Sequence, residues 1–469
     1  MSADPCELSL VAAVQAVRRG TISALELTEA CLARIAARDG ELCAFITLEP
    51  ERARQAALAA DAQRQRGEAL GPLHGIPLAH KDLFCRAGRP TTCGSRLWTD
   101  FVPDYSASLL EFLEAAGAID LGSLNMSEFA FHPDGMNVPK GPARNPWDPS
   151  RVAGGSSGGS AAALAAGFVF GSLGSDSGGS IRSPAALNGV VGLLPSFGRL
   201  RRRGMVVSSA SLDGPGPMAR SAADCAQLFS VLTGAAPAPS LALAGQRIGV
   251  PPGATLQGLP AALGAALTGA IETWAQAGAR IVEVTLPDLA SLNALAGIIF
   301  ACEVAATHAD SLRRQAADFT PAVRQRLLIG FGFTADDYLR AVEVRSAAQA
   351  EFLARAFADV DTLLLPSAAD VAPKLSEVEA RAAEPVLSGA AFELATPADP
   401  SYFTRAINYL GLPALALPCG SSQDLPLGFQ LVGRPLADEY LLGLGQAFEK
   451  LARISHRVMA CASLWRRQG

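Results

Sequence analysis

Strand-like and helical segments alternate along most of this sequence, and the alternation limits the folds that are open to it. Short apolar runs such as "RIVEVTLP", "VDTLLLPS" and "LGFQLVG" are typical of buried strands, whereas "ALTGAIETWAQAGA" and "DEYLLGLGQAFEKLAR" have the spacing of helices. A chain that alternates in this way packs helices against a sheet with many parallel strand pairs. With 469 residues, the chain is long enough for one broad sheet. We therefore predict an α/β fold.

Two regions depart from the alternation because they are almost wholly helical. In the N-terminal segment, about residues 1–66, Ser23 and Glu26 form a capping-box pattern, and Gly40 stands where that helix is expected to stop. The next helix is predicted from Pro50 to just before Gly67. A second helical block covers about residues 290–358, and its pattern favours one layer of the fold over a cap on a site.

Charge and cysteine content exclude several classes of function. The formal net charge is -5, and the one basic cluster, "RLRRRG" at residues 199–204, is typical of a solvated loop. We therefore predict no nucleic-acid partner. The nine cysteines include no CxxC pair, which favours reduced thiols in the cytoplasm. The N-terminus lacks the basic region of a signal peptide, and the apolar stretches are interrupted before membrane-spanning length. We expect a soluble cytoplasmic protein and no membrane partner.

The segment at residues 152–184, "VAGGSSGGSAAALAAGFVFGSLGSDSGGSIRSP", contains two Gly-Ser clusters separated by a run of small apolar residues. A flexible linker is disfavoured because the first cluster leads directly into an Ala-rich helix pattern. A phosphate-binding loop is disfavoured because neither cluster ends in the Lys-Ser or Lys-Thr pair that such loops require. The second cluster lies between a predicted strand and a predicted helix, where glycine N–H groups can converge on an oxyanion. A serine nucleophile is therefore the favoured interpretation, although helix capping accounts for any single serine.

A serine nucleophile needs a base, and the segment "HGIPLAHKDLF" offers two. If this segment is a strand, His80 and Lys81 point to opposite faces. A lysine in an apolar strand is costly when charged, so burial could depress its pKa and make it a neutral base. Pairing with Asp82 is the alternative for Lys81. Residue-level reasoning leaves open which of the two is the base and which serine attacks.

Several motifs together resemble the amidase signature family. They are "GIPLAHKD", "GGSSGGSAAALAAG", "LGSDSGGSIRSPAA" and "NYLGLPALALPCG" with "LGFQLVG", and the resemblance extends from about residue 25 to about residue 449. It implies one domain over residues 1–469 with a large mixed, mostly parallel central sheet covered by helices on both faces. It also implies that Lys81 is the base, Ser156 the relay serine on a cis peptide and Ser180 the nucleophile.

The same resemblance implies that the N–H groups of Ser177, Gly178 and Gly179 form the oxyanion hole, while Asp176 holds the turn. Phe131 and His132 lie in a segment that lines the acyl site in relatives, and Ala130 is also placed to line it, which favours an aromatic or aliphatic acyl group. Packing within the loop is the alternative for Phe131. Ser183 stands where a carboxylate-binding relative carries arginine. We therefore expect that a small diacid amide is not the substrate.

The implied function is a serine amidohydrolase that cleaves a carboxamide, anilide, carbamate or ester through an acyl-enzyme, that is, an amidase acting on linear C–N bonds other than peptide bonds. The resemblance implies no metal and no cofactor, a small-molecule partner, and it allows a homodimer. The alternative is a glutamine-hydrolysing amidotransferase subunit that acts with a partner protein on aminoacyl-tRNA. A catalytically inactive binding module is disfavoured because the lysine and both serines are present.

Overall fold

Thirteen strands and fifteen α-helices are present in the described part of the chain. The structure is a computed structural model that describes residues 4–137, 139–383 and 396–452. The strands are β1 (Phe45–Leu48), β2 (Pro77–Lys81), β3 (Ile119–Leu124), β4 (Arg144–Asn145), β5 (Asp148–Val152), β6 (Gly171–Asp176), β7 (Val191–Leu194), β8 (Gly214–Ala219), β9 (Arg247–Val250), β10 (Arg280–Glu283), β11 (Thr362–Pro366), β12 (Ala414–Ser422) and β13 (Leu425–Gly433). The helices are α1 (Leu10–Arg19), α2 (Ala24–Leu42), α3 (Pro50–Gln65), α4 (Ser108–Ala115), α5 (Gly158–Ala165), α6 (Arg182–Asn188), α7 (Ala222–Thr233), α8 (Ala261–Gln276), α9 (Leu289–Gln315), α10 (Pro321–Gly330), α11 (Ala335–Glu343), α12 (Arg345–Ala356), α13 (Leu375–Ala383), α14 (Tyr402–Leu410) and α15 (Asp438–Ala452).

The central sheet has eight strands in the order β10–β9–β11–β13–β12–β7–β8–β6. Strands β10, β9 and β11 pair in parallel, whereas the other five neighbouring pairs are antiparallel. The predicted α/β class and mixed sheet are confirmed, but the expectation of mostly parallel pairing is wrong for this sheet. The reason is local, because β12 and β13 are joined directly through a tight turn, and an antiparallel pair needs no helical crossover.

A three-stranded sheet, ordered β1–β3–β2, places the lysine segment beside the Gly-Ser region. Strand β2 pairs in parallel with β3, and its other side lies against β6. The N–H of Phe170 donates to the carbonyl of Pro77 at 3.1 Å. This contact brings the end of β2, where Lys81 stands, next to the strand that leads into the second Gly-Ser cluster.

Two hydrophobic cores lie on opposite faces of the central sheet. Successive side chains of a strand point to opposite faces, and β11 follows this rule, since Leu364 belongs to one core and Leu363 and Leu365 belong to the other. Helices α9, α11, α12 and α14 contribute residues to the second core. The helical block predicted for residues 290–358 is therefore a packed layer on one face of the sheet.

Helix α5 allows the two Gly-Ser clusters to pack closely. All eight of its residues are buried, and most of them are Gly or Ala. A Cβ on Gly159 would stand 2.4 Å from the backbone nitrogen of Asn125, a distance that no side chain tolerates. Glycine is therefore required where α5 meets the chain after β3, and this close approach fixes the position of the preceding serine cluster.

By length and composition alone, residues 289–318, which include α9, could cross a membrane. The apolar run of this helix is interrupted by Gly297 and Glu303, as predicted for the longest apolar stretches. Half of its most apolar 18 residues are buried inside the fold, as in the core helix of a globular protein. Its side chains, among them Ala296 and Ile299, pack into the second core.

Candidate active site

Lys81 lies at the end of β2 with its ammonium group inside the protein. The side chain is fully buried, and its Nζ donates to Ser156 Oγ at 2.7 Å and to Ser175 Oγ at 2.8 Å. Burial lowers the pKa of Lys81 to about 7, even though the carboxylates of Asp213 and Asp176 act in the opposite direction. Lys81 can therefore lose its proton near neutral pH and act as a base.

Ser156 occupies the first Gly-Ser cluster just before α5. It is fully buried, and the peptide bond between Gly155 and Ser156 is cis, as the resemblance implies. Its carbonyl accepts a hydrogen bond from the N–H of Ser127 at 3.2 Å. Ser156 is thus fixed on the backbone side as well as through its contact with Lys81.

Ser180 stands between β6 and α6, in the second Gly-Ser cluster. The N–H of Ser157 donates to the Ser180 carbonyl at 3.2 Å, which joins the two clusters directly. Ser180 lines a cavity of about 250 Å³ and is partly exposed there, whereas Lys81 and Ser156 are buried. Of the three residues, Ser180 is therefore the one that a substrate in this cavity would contact.

Asp176 holds the turn between β6 and Ser180. Its carboxylate accepts hydrogen bonds from the N–H groups of Gly179 at 2.7 Å and Ile181 at 3.1 Å. The structural role predicted for Asp176 is therefore confirmed. The Gly179 N–H is engaged inside the loop, so the geometry does not support the prediction that it is an oxyanion donor. Ser177 and Gly178 line the cavity together with Ser180 and stay as the predicted donors.

A buried ion pair anchors this turn to the rest of the sheet. Arg182, which is fully buried, donates to both carboxylate oxygens of Asp176 at 3.0 Å. The same guanidinium donates to Gln430 Oε1 on β13 and to Asn408 Oδ1 on α14. Burial works against ionisation of Asp176, but the charge of Arg182 and the hydrogen bonds that Asp176 accepts from Arg182, Asn408 and Ile181 hold its pKa at about 2. Both polar groups are satisfied, as a buried pair requires.

The structure separates His80 from Lys81. The Nδ1 of His80 accepts a hydrogen bond from the N–H of Leu173 at 3.1 Å, and burial lowers its pKa to about 3. His80 lines a different cavity, together with Arg89 and Asp120. Of the two candidate bases, Lys81 is the one in contact with the Gly-Ser clusters.

The remaining wall of the cavity is partly apolar and partly cationic. Both predicted acyl-site residues, Ala130 and Phe131, line it, and the Phe131 ring packs edge-on against Phe300 at 5.7 Å between centroids. The cavity is also lined by His132, Pro133, Asp134, Ser183, Leu212, Arg326, Arg381 and Arg405. Sequence reasoning missed the three arginines, which come from α10, α13 and α14 and lie far along the chain from the serine clusters.

Comparison with known proteins agrees with this geometry. The amidase family profile matches residues 26–442. The chain belongs to the amidase family. A glutamyl-tRNA(Gln) amidotransferase subunit from Chloroflexus aurantiacus is 40% identical over 95% of this chain and 96% of the relative.

Two solved structures extend this comparison. One, from work on a vestigial protein complex and the origins of an s-triazine catabolic enzyme, is 36% identical with a TM-score of 0.85, covering 94% of this chain and 98% of that one. A glutamyl-tRNA(Gln) amidotransferase subunit from Thermotoga maritima is 28% identical with a TM-score of 0.77, covering 96% of each chain. The chain is thus an amidase-family enzyme that acts on C–N bonds, and these relatives share its fold over nearly their whole length.

The relatives correct one prediction. We expected a small-molecule partner, with a homodimer allowed and no nucleic acid. The curated relatives are subunits named for glutamyl-tRNA(Gln), so the prediction from net charge and the basic cluster is wrong. Net charge reports on the whole surface, and a chain that contacts tRNA as one subunit of an assembly need not carry the basic surface itself.

Two polar residues of the site were also missed from the sequence. Ser175 Oγ is the second acceptor of the Lys81 Nζ, across 94 residues of sequence. Asp213 Oδ1 accepts from Ser177 Oγ at 2.5 Å, and its other oxygen accepts from the N–H groups of Ser208 and Ser209. Asp213 therefore fixes the loop that carries a predicted oxyanion donor. In the sequence, Ser175 was indicated only by its position in "GSDSGGS", and no pattern indicated Asp213.

Proposed function

We propose that this chain is the amide-hydrolysing subunit of an amidotransferase, which releases ammonia from glutamine for a partner-bound glutamyl-tRNA. One observation carries the proposal. Lys81 and Ser156 are buried and hydrogen-bonded to each other, the backbone of the next residue, Ser157, bonds to Ser180, and Ser180 lines a cavity. The chain is 40% identical to a glutamyl-tRNA(Gln) amidotransferase subunit over 95% of its length. The contacts support amide hydrolysis, and the relatives support the use of the ammonia.

Acylation begins with neutral Lys81. The lysine accepts the proton of Ser156 Oγ, to which its Nζ is hydrogen-bonded, while Ser156 accepts the proton of Ser180 Oγ. The Ser180 oxygen then attacks the amide carbonyl carbon, and a tetrahedral intermediate forms. The proton returns through Ser156 to the amide nitrogen, the C–N bond breaks and ammonia leaves. A γ-glutamyl ester of Ser180 remains.

Deacylation uses the same groups in reverse order. Water loses a proton to the Ser156–Lys81 pair and attacks the ester carbonyl, and Ser180 leaves with a proton as glutamate is released. The negative charge that develops on the carbonyl oxygen needs donors that are already in place. The N–H groups of Ser177, Gly178 and Ser180 are the proposed donors. Asp176 and Asp213 hold the loop that presents them.

A hydrolase that releases its acid and its amine to water is the second candidate. The likeness to the solved structure from work on an s-triazine catabolic enzyme favours it, since that chain is 36% identical with a TM-score of 0.85. The bond would then be a carboxamide, anilide, carbamate or ester, with a linear amide as the first choice. Both candidates form an acyl-enzyme at Ser180, and they differ in the leaving group and in whether that group is passed to a partner.

The test measures ammonia release and tRNA amidation side by side. The chain is purified together with partner proteins from its own organism and incubated with glutamine, glutamyl-tRNA and ATP. We expect Ser180-dependent ammonia release and formation of glutaminyl-tRNA. Full activity of the chain alone on a simple anilide, with no hydrolysis of glutamine in any assembly, would exclude the amidotransferase and leave the hydrolase.

A further inference from the structure

A short loop before β8 contacts the active site. This loop, residues 208–213, ends in Asp213, which accepts a hydrogen bond from Ser177 Oγ. Leu212, next to Asp213, lines the cavity at Ser180. Because the N–H of Ser177 is a proposed oxyanion donor, the position of the 208–213 loop affects both that donor and part of the cavity wall.

Hydrogen bonds within the loop fix its shape. The N–H groups of Leu212 and Asp213 donate to the Ser209 carbonyl at 3.4 and 3.0 Å. The Asp213 carboxylate accepts from the N–H groups of Ser208 and Ser209 at 2.7 and 3.1 Å. These bonds close the loop on itself, but they do not determine where it lies relative to the sheet and the helices. That position depends on contacts with residues outside the loop.

Glu303, on α9, holds the loop from the helical layer. Its Oε2 accepts hydrogen bonds from Ser209 Oγ at 2.6 Å and from the N–H of Ser211 at 3.0 Å. Its Oε1 accepts from Ser211 Oγ and from the hydroxyl of Tyr338 on α11, the latter at 2.9 Å. Hydrogen bonds that a carboxylate accepts are stronger than those between neutral groups. One side chain therefore fixes two serines of the loop.

A further contact limits how far the loop can move without this carboxylate. The guanidinium of Arg345 donates to the Ser211 carbonyl at 2.9 Å, and this bond does not involve Glu303. Replacement of Glu303 should therefore leave the loop folded but less restricted. Asp213 lies two residues after Ser211, so added motion at Ser211 reaches the carboxylate that holds Ser177.

We propose that Glu303 is a positioning residue for the reaction at Ser180. By fixing the 208–213 loop, it keeps Asp213, and through it Ser177, where the N–H donors meet the oxyanion. Donors held in place stabilise the transition state more than the bound substrate, so Glu303 acts on kcat and not on KM. The inference rests on the proposed function, because it names a residue that supports the acyl-enzyme step of that reaction.

The first test measures the reactivity of Ser180 with a fluorophosphonate probe on the full chain. In this reaction the Ser180 oxygen bonds to phosphorus, fluoride leaves, and the serine proton passes through the relay serine to Lys81. We expect Glu303→Gln to lower the rate constant of labelling by about tenfold or more, because the phosphoryl oxygen needs the same donors. Asp310→Asn is the matched control on the same helix, since Asp310 pairs with Arg313 at the surface, and it should react at the wild-type rate.

A double-mutant cycle assigns the effect to the proposed connection. Ser177→Ala removes the hydroxyl that bonds to Asp213 and keeps the N–H donor. In this background we expect Glu303→Gln to cause no more than about a further two- to threefold loss, because the connection is already broken. Labelling of Glu303→Gln at the wild-type rate would overturn the inference. An equal loss in both backgrounds, or the same loss in Asp310→Asn, would also overturn it.

Ser211→Ala keeps the inference testable if Glu303→Gln does not fold. This substitution removes one hydrogen bond to the carboxylate and leaves Glu303 in place. We expect it to slow labelling by about two- to fivefold, the effect of one hydrogen bond, and to have less effect in the Ser177→Ala background. An unchanged rate in Ser211→Ala would then overturn the inference.

Steady-state kinetics separate the failure of this inference from the failure of the proposed function. With glutamine and the assembly that contains the partner proteins, we expect Glu303→Gln to lower kcat for ammonia release by about tenfold and to change KM by less than about twofold. A change confined to KM would contradict the positioning role and leave the amidotransferase proposal in place. Conversely, slower labelling of Glu303→Gln, with no release of ammonia from glutamine by the wild-type assembly, would contradict the proposed function and leave the positioning role standing.

Discussion

Burial of a single lysine side chain provides the proposed catalytic base. Lys81 is enclosed on all sides at the end of β2, and the loss of hydration lowers its pKa to about 7. Asp213 and Asp176 favour the charged form, so the position of the pKa is a balance between burial and two carboxylates. The proposed catalytic form is the neutral amine, which is present only after Lys81 has lost its proton.

Hydrolysis should therefore depend on pH in one direction. We expect kcat/KM to be low below about pH 6, to rise through an apparent pKa of about 7 and to level off on the alkaline side, because the neutral form of Lys81 is the active one. A pH profile with an uncharged amide measures this. A rate that stays flat from about pH 6 to about pH 9 would contradict Lys81 as the titrating base.

Ser175 should act by directing the lysine. Because it accepts a hydrogen bond from Nζ at 2.8 Å, it leaves the lone pair of the neutral amine for Ser156. We expect Ser175→Ala to lower kcat by about tenfold with little change in KM, and to lower the apparent pKa because the charged form loses an acceptor. Ser172→Ala is the matched control on the same strand, since Ser172 bonds to Ser160 instead. Equal effects of the two substitutions would contradict a directing role.

At the scale of elements, the ion pair of Arg182 and Asp176 connects the catalytic turn to β13 and α14. Arg182→Met leaves a carboxylate buried without its partner, and we expect it to lower the free energy of unfolding by about 3–5 kcal/mol. Urea denaturation measures the change. Arg247→Met is the control, because its pair with Asp361 is exposed and should contribute much less. A loss no larger than the control would show that the buried pair does not hold the turn.

Element positions were predictable where the signal was local. The capping box of Ser23 and Glu26 begins α2, and Pro50 begins α3, as the sequence patterns predict. The stop expected at Gly40 is wrong, since α2 continues to Leu42 and ends at Cys43 with a φ of 51°. Leu42 is fully buried, and burial of such a side chain outweighs the cost of about 1 kcal/mol for glycine inside a helix.

Partners that lie far apart in sequence were not predictable from local patterns. Residue-level reasoning located a site in the Gly-Ser clusters but left its serines unassigned, and the family resemblance made the choice. Ser175, Asp213 and Arg405 join the site only because β6, the loop before β8 and α14 meet in three dimensions. The antiparallel pairing of most central strands was not predicted for the same reason, because the spacing of apolar residues does not determine which strands pair or in which direction.

At the scale of the whole molecule, both cores share one central sheet, so we expect the chain to unfold as a single domain. Strand β11 contributes side chains to each core, and loss of either core exposes the other. Tryptophan fluorescence and far-ultraviolet circular dichroism should therefore give coincident urea transitions. Two separated transitions would show that the N-terminal and helical regions are independent domains.

The covalent intermediate on Ser180 tests the central claim most directly. The wild-type assembly is mixed with an amide substrate, quenched in acid within one turnover and analysed by peptide mass spectrometry, beside the Ser180→Ala and Lys81→Met variants. We predict that the acyl mass lies on the peptide containing Ser180, is absent from Ser180→Ala and is strongly reduced in Lys81→Met. An acyl group on another residue, or continued release of ammonia by Ser180→Ala, would contradict the account.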